Sequence, residues 1–398
     1  MSGGATVADN RSMARESARS HVEANRPELL ALALSIHEEP ELMFEERRSV
    51  AKVAAALRAA GMTVDIGIDD LPTALRATAG NGPMVIAICA EYDALPGIGH
   101  ACGHNVIAAA AVGAGAALAP LADQLGITVE VLGTPAEEGG GGKILMLDRG
   151  AFAGVHAAMM VHPWPSDHLE ATCLAVDHLR VAYNGHQAHA SAAPEKGINA
   201  GDALVVAQIS IGLLRQHMNP GDQVHGIVTR GGEAPNIVPG RAEAEFMLRA
   251  PSLEALATLS ARVRGCFDAG ALATGASLEI SKLSPTYSEM RSHPGLLAAW
   301  RRNAELLGRT YESDDAGVPP PTLSTDMANV SLSVPSIHPL VGVDAGGASN
   351  HQPEFAAACV GRSAGKAVVD GALAMAWTAI DAATDPDLRA ALVDRRGV

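Results

Sequence analysis

Two side chains of metal-binding type, Cys102 and His104, stand two positions apart in the segment EYDALPGIGHACGHN at residues 91–105. Residues i and i+2 of an extended chain point to the same side, so the thiolate and the imidazole can face a common metal ion. A second interpretation is a loop with a buried cysteine ahead of a helix capped by Asn105. The spacing alone leaves both interpretations open.

Two adjacent glutamates, Glu137 and Glu138, follow in the segment TPAEEGGGGK at residues 134–143. Neighbouring carboxylates repel each other, so a partly buried pair needs a cation or a proton. A metal ion can take one glutamate as a ligand, and the other can act as a general base with a raised pKa. The alternative is a solvated turn before a flexible glycine loop, which is less expected between an apolar strand and a glycine run.

His162 and His351 extend the set of candidate ligands. His162 ends an apolar run in the segment MVHPWP, and His351 lies in ASNHQPEF, in a loop before the last long helix. Taken singly, each is explained as an ordinary core or loop histidine. Together, four separate segments offer Cys, His and Glu side chains, and this mixture suits Zn²⁺, Mn²⁺ or Co²⁺ rather than Ca²⁺ or Mg²⁺.

The elements that must position these residues follow the pattern of an α/β layer. Apolar runs at 84–90, 127–133 and 157–162 predict buried strands, and an Ala/Gly-rich segment at about 105–120 predicts the helix between the first two. Strands that alternate with helices predict a sheet covered on both faces. The candidate residues follow the carboxyl ends of these strands, where open α/β sheets place their sites.

The pattern changes near residue 178. The segments that follow have the order β-α-β-β-α-β, which predicts an inserted ferredoxin-like α+β domain, and the α/β pattern resumes after 290. We therefore predict a mobile leader over residues 1–20, a catalytic metal-binding domain formed by 21–178 and 290–398, and an insert over 179–289.

The charge balance argues against nucleic acid and membrane surfaces as partners. With 29 basic and 44 acidic residues the formal net charge is −15, and no basic stripe is present to displace counterions from phosphates. No apolar run of transmembrane length is free of Gly, polar or charged interruptions, and the first twenty residues lack the apolar centre of a secretory signal. Five scattered cysteines indicate a reducing compartment, so we expect a cytoplasmic protein.

The motifs taken together resemble the aminoacylase/carboxypeptidase family of two-metal peptidases, and within it the amidohydrolase branch. The resemblance covers nearly all of the chain after the leader and rests on HEEPEL, DALP, HACGHN, PAEEGGGGK, VHP, QAHASAAP and NHQPEF in that order. It implies a zinc-peptidase-like catalytic α/β domain with an inserted lid, which mediates dimerisation in many relatives. A homodimer or a higher homo-oligomer is therefore expected.

The resemblance also implies roles for individual residues. Glu137 matches the general base, which deprotonates the attacking water and passes the proton to the leaving amine, and Asp93 matches a carboxylate that orients the metal site. The implied ligands of two divalent metal ions, Zn²⁺ or Mn²⁺ or else Co²⁺, are Cys102, His104, Glu138, His162 and His351. Cys102 is expected to bridge the two ions.

Three residues of the insert match substrate-contacting positions of the family. His189 in GHQAHASAAP matches a lid histidine that stabilises the oxyanion, in its own site or in that of the neighbouring subunit. Asn236 in EAPNIVPG and Arg249 in FMLRA match residues that hold substrate, and Arg249 would pair with a terminal carboxylate. A turn at Asn236 and a surface strand at Arg249 are equally good explanations, whereas function is the favoured interpretation of His189.

Departures from the branch indicate a subgroup. Asn105 stands where most members have aspartate, so the negative charge of that aspartate is absent, and Tyr92 stands where many have methionine. CGHN and GTPAEEGGGGK are similar to the subgroup of aminobenzoyl-glutamate hydrolase and the β-alanyl-lysine type of dipeptidase. Asp326 in STDMANVS and His338 in SIHPLVGV also suit this subgroup, and a core or turn role is the favoured interpretation of both.

The expected function is metal-dependent hydrolysis of the amide bond in an N-acyl amino acid, an aminobenzoyl-amino acid or a dipeptide. One alternative makes Cys102 a nucleophile without a metal, and its close spacing to His104 disfavours this. A second alternative is an inactive metal- or ligand-binding protein, which the intact Glu137 disfavours. The sequence names neither the acyl group nor the amino acid.

Overall fold

The computed structural model describes residues 7–311 and 320–394. These residues form two compact units. As far as they are described, the first comprises Met1–Thr172, Met290–Thr322 and Asp326–Val398, and the second comprises Cys173–Glu289 and Leu323–Thr325. The predicted insert of residues 179–289 lies inside the second unit, which also takes in residues 173–178.

Helices and strands alternate along most of the chain. The helices are α1 (Val7–Ala24), α2 (Arg26–Glu38), α3 (Arg47–Ala59), α4 (His104–Leu118), α5 (Ala122–Leu125), α6 (Gly142–Asp148), α7 (Ala200–Leu214), α8 (Leu253–Thr274), α9 (Pro294–Leu306), α10 (Met327–Ser331), α11 (Pro353–Ala358), α12 (Arg362–Thr384) and α13 (Pro386–Asp394). The strands are β1 (Thr63–Ile66), β2 (Leu75–Ala79), β3 (Met84–Ala90), β4 (Ile127–Gly133), β5 (Val155–Met159), β6 (His162–Trp164), β7 (Thr172–Cys173), β8 (Ala175–Asn184), β9 (Gln223–Arg230), β10 (Arg241–Ala250), β11 (Ser277–Lys282), β12 (Thr322–Leu323), β13 (Ser336–Ile337) and β14 (Leu340–Gly342).

The first unit is built on a six-stranded sheet with the order β1-β2-β4-β3-β5-β13. β3 runs parallel to β4 and β5, and β13 runs parallel to β5, whereas β1 and β2 form an antiparallel edge. β3 and β4 occupy the predicted ranges 84–90 and 127–133. β3 is buried along nearly its whole length, as expected for a strand covered on both faces. The predicted α/β layer is confirmed.

α4 is a central helix of the first unit, and every one of its residues is buried. Its alanines and glycines let α12 approach closely, because a Cβ atom on Gly113 would lie 2.9 Å from the Cβ atom of Ala372. The stretch His104–Leu125 has the length and hydropathy of a membrane span, but 89% of its most apolar window is buried inside the fold. A buried core helix accounts for this composition.

α1 packs on the first unit, which corrects the predicted mobile leader over residues 1–20. Ala14, Ala18 and Val22 recur every four residues and are buried. Arg15 donates to both carboxylate oxygens of Asp381, at 2.7 Å each. Small side chains at this spacing give a weak hydrophobic pattern, which is why the sequence did not predict the helix. Residues 1–6 of the predicted leader lie outside the described part of the chain.

The second unit is an antiparallel sheet with the order β11-β8-β10-β9, and α7 and α8 pack against it. The chain passes through β8, α7, β9, β10, α8 and β11, so the predicted ferredoxin-like order is confirmed. The side chain of Asn199 caps α7 by accepting the N–H groups of Gly201 and Asp202. β9 lies at an edge of the sheet, and most of its residues are exposed.

Candidate metal centre

His104 is the first residue of α4, and the turn before it fixes its direction. Gly103 has a φ of 77°, and a Cβ atom on it would lie 2.8 Å from Cγ of Pro163, so only glycine fits there. His104 is buried, and its Nδ1 atom lies 3.0 Å from Oδ1 of Asp93. A carboxylate only accepts hydrogen bonds, so Nδ1 carries a proton, and Nε2 is the nitrogen that can bind a metal ion once the imidazole is neutral.

The segment after β4 carries the glutamate pair. Ala136 has a φ of 58°, and its N–H donates to Oε1 of Glu46 at 2.9 Å. The N–H of Glu138 donates to Oδ2 of Asp93 at 3.0 Å. Asp93 thus contacts His104 with one oxygen and Glu138 with the other, an arrangement by which carboxylates commonly orient the ligands of a metal site.

His162 and His351 come from the segment after β5 and from the loop before α11. Nδ1 of His162 donates to the carbonyl oxygen of Pro163 at 2.8 Å, so Nε2 presents its lone pair. His351 has a φ of 69°, and its N–H donates to the carbonyl oxygen of Ala101 at 3.0 Å. Its Nε2 atom lies 3.7 Å from Oε2 of Glu138, and 61% of its side chain is exposed. His351 therefore forms the solvent side of the cluster.

Three groups of side chains bring their ligand atoms within 4.8 Å of one another. The groups are Cys102 with His104 and His162, Cys102 with Glu138 and His351, and His104 with Glu137 and Glu138. Cys102 belongs to two of the groups, which is the arrangement a bridging thiolate requires. The structure thus brings together all five side chains predicted as ligands, with the predicted base among them.

The donor set fits divalent metal ions. Nε2 of His104 and Oε1 of Glu138 are buried 3.9 Å apart, and neither has a hydrogen-bond partner among the described residues. Facing lone pairs in a buried site repel each other unless a proton or a cation lies between them. Thiolate, imidazole and carboxylate are the ligands of Zn²⁺ and related transition-metal ions.

Burial dominates the pKa values of the cluster. It raises the pKa of Glu137 well above its usual range, and nearby carboxylates add to this effect. Burial also raises the pKa of the Cys102 thiol, with Glu138 as the next cause. For His104, burial acts to lower the pKa, but the charge and hydrogen bond of Asp93 outweigh it, so the pKa rises. These three shifts favour the protonated forms of Glu137, Cys102 and His104 when no cation is bound, and ligand protons of this kind are released when a metal ion binds.

A buried ion network lies beside the cluster. Lys143 is completely buried, and its Nζ atom contacts Glu91 and donates to Oδ1 of Asp326 at 2.8 Å. The sequence favoured a core or turn role for Asp326 and singled out neither Glu91 nor Lys143. The signal for Glu91 is its position two residues before the aspartate of DALP, because the two side chains then point the same way. His338 is also buried, and its ring centroid lies 5.5 Å from that of His162.

Two of the predicted residues of the insert lie next to each other in the second unit. His189 is exposed, and its Nδ1 atom accepts the N–H groups of Ser191 and Ala192 at 3.3 and 3.2 Å. Its Nε2 atom therefore carries the proton. The carbonyl oxygen of Asn236 accepts the N–H of Ala190 at 3.0 Å, which places the exposed Asn236 beside His189.

Arg249, the third predicted residue of the insert, lies on β10 of the second unit. Its side chain is half-buried, and Nη1 donates to Oγ of Ser324 at 2.9 Å. Ser324 in turn donates to the carbonyl oxygen of Leu174 at 3.2 Å. These contacts hold the guanidinium group in one orientation, as a residue that pairs with a carboxylate requires.

An α/β sheet whose strand ends carry thiolate, imidazole and carboxylate donors is typical of metal-dependent hydrolases. The sequence model of peptidase family M20/M25/M40 matches residues 87–365. A Xaa-Arg dipeptidase of Mus musculus is 37% identical over 401 residues, which cover 97% of this chain and 92% of that protein. The chain belongs to peptidase family M20/M25/M40, and it hydrolyses amide bonds.

Two further relatives agree with this family. One of the p-aminobenzoyl-glutamate hydrolase subunits of Escherichia coli is 34% identical over 279 residues, which cover 65% of this chain and 58% of that protein. The structure of a dinuclear metal-binding peptidase of the M20 family from Bacillus subtilis has a TM-score of 0.66 at 23% identity, and the match covers 89% of this chain and 98% of that one. The structural likeness establishes the fold, and the family resemblance drawn from the motifs is confirmed.

Proposed function

We propose that this chain hydrolyses the amide bond of a dipeptide or an N-acyl amino acid with two divalent metal ions and with Glu137 as the general base. The proposed ligands are Cys102, His104, Glu138, His162 and His351. The observation that carries the proposal is the approach of their ligand atoms to within 4.8 Å in two groups that share Cys102. The mixed thiolate, imidazole and carboxylate donors favour Zn²⁺ or Mn²⁺, with Co²⁺ as a substitute.

Glu137 moves the proton in this mechanism. Its Oε2 atom lies 3.8 Å from Nε2 of His104, at the edge of the ligand set. The carboxylate accepts a proton from the attacking water and donates it to the amine nitrogen as the C–N bond breaks. Asp93 keeps His104 and Glu138 oriented during these steps. Bound divalent ions supply the Lewis acid that polarises the scissile carbonyl.

The second unit supplies the proposed contacts to substrate. Because Nδ1 of His189 already accepts two backbone N–H groups, its Nε2–H can donate to the oxyanion that forms during hydrolysis. We propose that Asn236, its neighbour, binds substrate with it. Arg249 is proposed to pair with the terminal carboxylate of the substrate. Replacement of His189 by alanine should lower kcat about 100-fold or more and leave metal content unchanged.

A dipeptide with a basic C-terminal residue is the substrate we favour. Similarity to the Xaa-Arg dipeptidase extends over 97% of this chain, whereas the match to the aminobenzoyl-glutamate hydrolase of Escherichia coli covers 65%. The formal net charge of −15 would also attract a cationic dipeptide at low ionic strength. An aminobenzoyl-amino acid or an N-acyl amino acid is the second candidate.

A hydrolysis panel on metal-loaded protein tests the proposal. The panel contains Xaa-Arg, Xaa-Lys and β-alanyl-Lys dipeptides, N-acetyl amino acids and aminobenzoyl-glutamate, with amine release as the readout. We expect the highest kcat/KM on a dipeptide with a basic C-terminal residue, full loss of activity in a chelator and recovery with Mn²⁺ or Zn²⁺. Activity that survives the chelator would instead indicate Cys102 as a nucleophile, and no turnover on any substrate would indicate a binding protein.

We also propose that the chain forms a homodimer through the second unit. Val205, Ile209 and Leu213 repeat every four residues along α7, with exposed fractions of 51%, 59% and 71%. At the sheet edge, β9 exposes Ile227 and Val228. A second copy related by a twofold axis can cover both the apolar stripe of α7 and the edge of β9, which pairs with no further strand among the described residues.

A further inference from the structure

Glu91 directly follows β3 and is completely buried. Its Oε1 atom accepts a hydrogen bond from Nζ of Lys143. Its Oε2 atom has no hydrogen-bond partner in the described part of the chain, and it lies 3.5 Å from Nε2 of His104. That nitrogen also lacks a hydrogen-bond partner among the described residues, and it presents a lone pair when the imidazole is neutral, as in a metal ligand. In that form two buried acceptor atoms face each other at short range.

Lys143 fixes the orientation of Glu91. Its Nζ atom also donates to Oδ1 of Asp326 at 2.8 Å, and its backbone N–H donates to Oδ2 of the same aspartate at 2.8 Å. Lys143 is thus held at two points by Asp326, and it holds one oxygen of Glu91. This leaves the other oxygen of Glu91 directed at His104.

The charges of this network do not balance when His104 is neutral, as a metal ligand must be. One buried ammonium then faces the carboxylates of Glu91 and Asp326, which leaves one negative charge in the interior. A buried charge without a partner strongly destabilises a fold, so the interior favours a compensating cation. The unpartnered Oε2 atom of Glu91 marks the side on which a second cation would compensate.

The distance fits a shared metal ion. Two donor atoms that each lie about 2.0–2.2 Å from a tetrahedral ion are separated by roughly 3.3–3.6 Å. Oε2 of Glu91 and Nε2 of His104 are 3.5 Å apart, closer than the 3.9 Å between Oε1 of Glu138 and the same nitrogen. We propose that Glu91 is an additional ligand of the metal ion that His104 binds, held in position by Lys143. This inference rests on the two-metal centre of the proposed function.

Metal binding to the Glu91→Gln variant tests the inference. Glutamine keeps the size and still accepts from Lys143, but it removes the negative charge beside His104. Competition with a chromophoric chelator should show two equivalents of Zn²⁺ in the wild type, and one of them should bind about 10–100-fold more weakly in the variant. With Co²⁺ as the probe, the visible absorption spectrum should change in intensity and position because one ion loses an oxygen ligand.

Glu130→Gln is the matched control. Glu130 is a mostly buried glutamate on β4 that pairs with Arg76 at 3.7 Å and is not part of the cluster. This variant should keep both metal equivalents and the wild-type Co²⁺ spectrum. The inference would be overturned if Glu91→Gln bound both Zn²⁺ equivalents with the wild-type affinities and also kept the wild-type Co²⁺ spectrum.

A structure of the metal-loaded wild-type protein keeps the test decisive if Glu91→Gln fails to fold. The inference predicts Oε2 of Glu91 within bonding distance of an ion, about 2.0–2.2 Å. If Oε2 of Glu91 lies more than about 3 Å from both ions, outside that bonding range, Glu91 is only an ion-pair partner of Lys143 and not a metal ligand. A wild type that binds no metal would instead defeat the proposed function, so the two failures are distinguishable.

Discussion

Glu137 is the residue whose replacement separates catalysis from metal binding. In the Glu137→Gln variant we expect kcat to fall about 10²–10⁴-fold, because an amide cannot accept the proton of the attacking water. Metal content should stay at the wild-type level, since the five proposed ligands are intact. Steady-state kinetics and metal analysis on the same sample measure both quantities. The exposed Glu45→Gln variant is the control, and wild-type turnover in Glu137→Gln would remove Glu137 from the mechanism.

Glu46 makes the stability of the fold depend on pH. Its Oε1 atom accepts the N–H groups of Phe44 and Ala136, and burial, followed by the negative charge of Asp93, raises its pKa to about 7 from an ordinary value of 4.5. Between these pH values the native protein holds a proton that the unfolded chain has released. The contribution of this group to the free energy of unfolding is therefore complete below pH 4.5. It is lost as the pH rises through 7, and the loss is at most about 3–4 kcal/mol.

Melting temperatures of the wild type and of Glu46→Gln at pH 5 and pH 8 check this dependence. Glutamine does not titrate and can still accept both backbone N–H groups, so the wild type should lose melting temperature relative to the variant as the pH rises. Glu45→Gln, an exposed neighbour, should follow the wild type. If the melting temperatures of Glu46→Gln and of the wild type change by the same amount between pH 5 and pH 8, Glu46 does not have a raised pKa.

At the scale of elements, Asn105 joins α4 to two neighbouring helices. Its Nδ2 atom donates to the carbonyl oxygens of Ala33 in α2 and Cys359 at the end of α11, at 3.2 and 3.0 Å. An aspartate could not make these bonds, which gives a structural reason for asparagine at this position. Asn105→Asp should destabilise the fold by about 2–4 kcal/mol, because a buried carboxylate would face two carbonyl oxygens. Thermal unfolding measures the loss.

Asn10→Asp provides the control for the added charge. Asn10 is exposed on α1, so the same change there should leave the melting temperature close to that of the wild type. An Asn105→Asp variant as stable as Asn10→Asp would mean that the two hydrogen bonds contribute little to the docking of α4.

The sequence predicts those elements whose signal is local. β3 is a continuous apolar run, β4 is mainly apolar, and candidate ligands follow the ends of both strands, so the strands and the candidate residues could be predicted from the sequence. The contact between Lys143 and Asp326 joins residues 183 positions apart and depends on the folded sheet. The positive φ angles of Phe44 and Ala136 could not be predicted from the sequence either, because neither residue type favours that conformation. α1 was missed because its buried face consists mainly of alanine.

At the scale of the whole molecule, the proposed homodimer depends on the apolar stripe of α7. Ile209 lies at the middle of the stripe with 59% of its surface exposed. Ile209→Glu should shift the protein from dimer to monomer in light scattering coupled to size exclusion, because burial of an unpaired charge opposes association. Leu272→Glu on α8, where the side chain is 88% exposed, is the matched control and should remain dimeric. A monomeric wild type would contradict the proposed homodimer.

The proposed ligands stand on both sides of the second unit in the sequence. Cys102, His104, Glu138 and His162 precede it, and His351 follows it. Chains are synthesised from the N-terminus and domains fold as they emerge, so the ribosome completes the whole of the second unit before it adds His351. A nascent chain that stops earlier holds at most four of the five ligands. The complete set of proposed ligands is therefore present only in a chain that has been synthesised past His351, after the second unit.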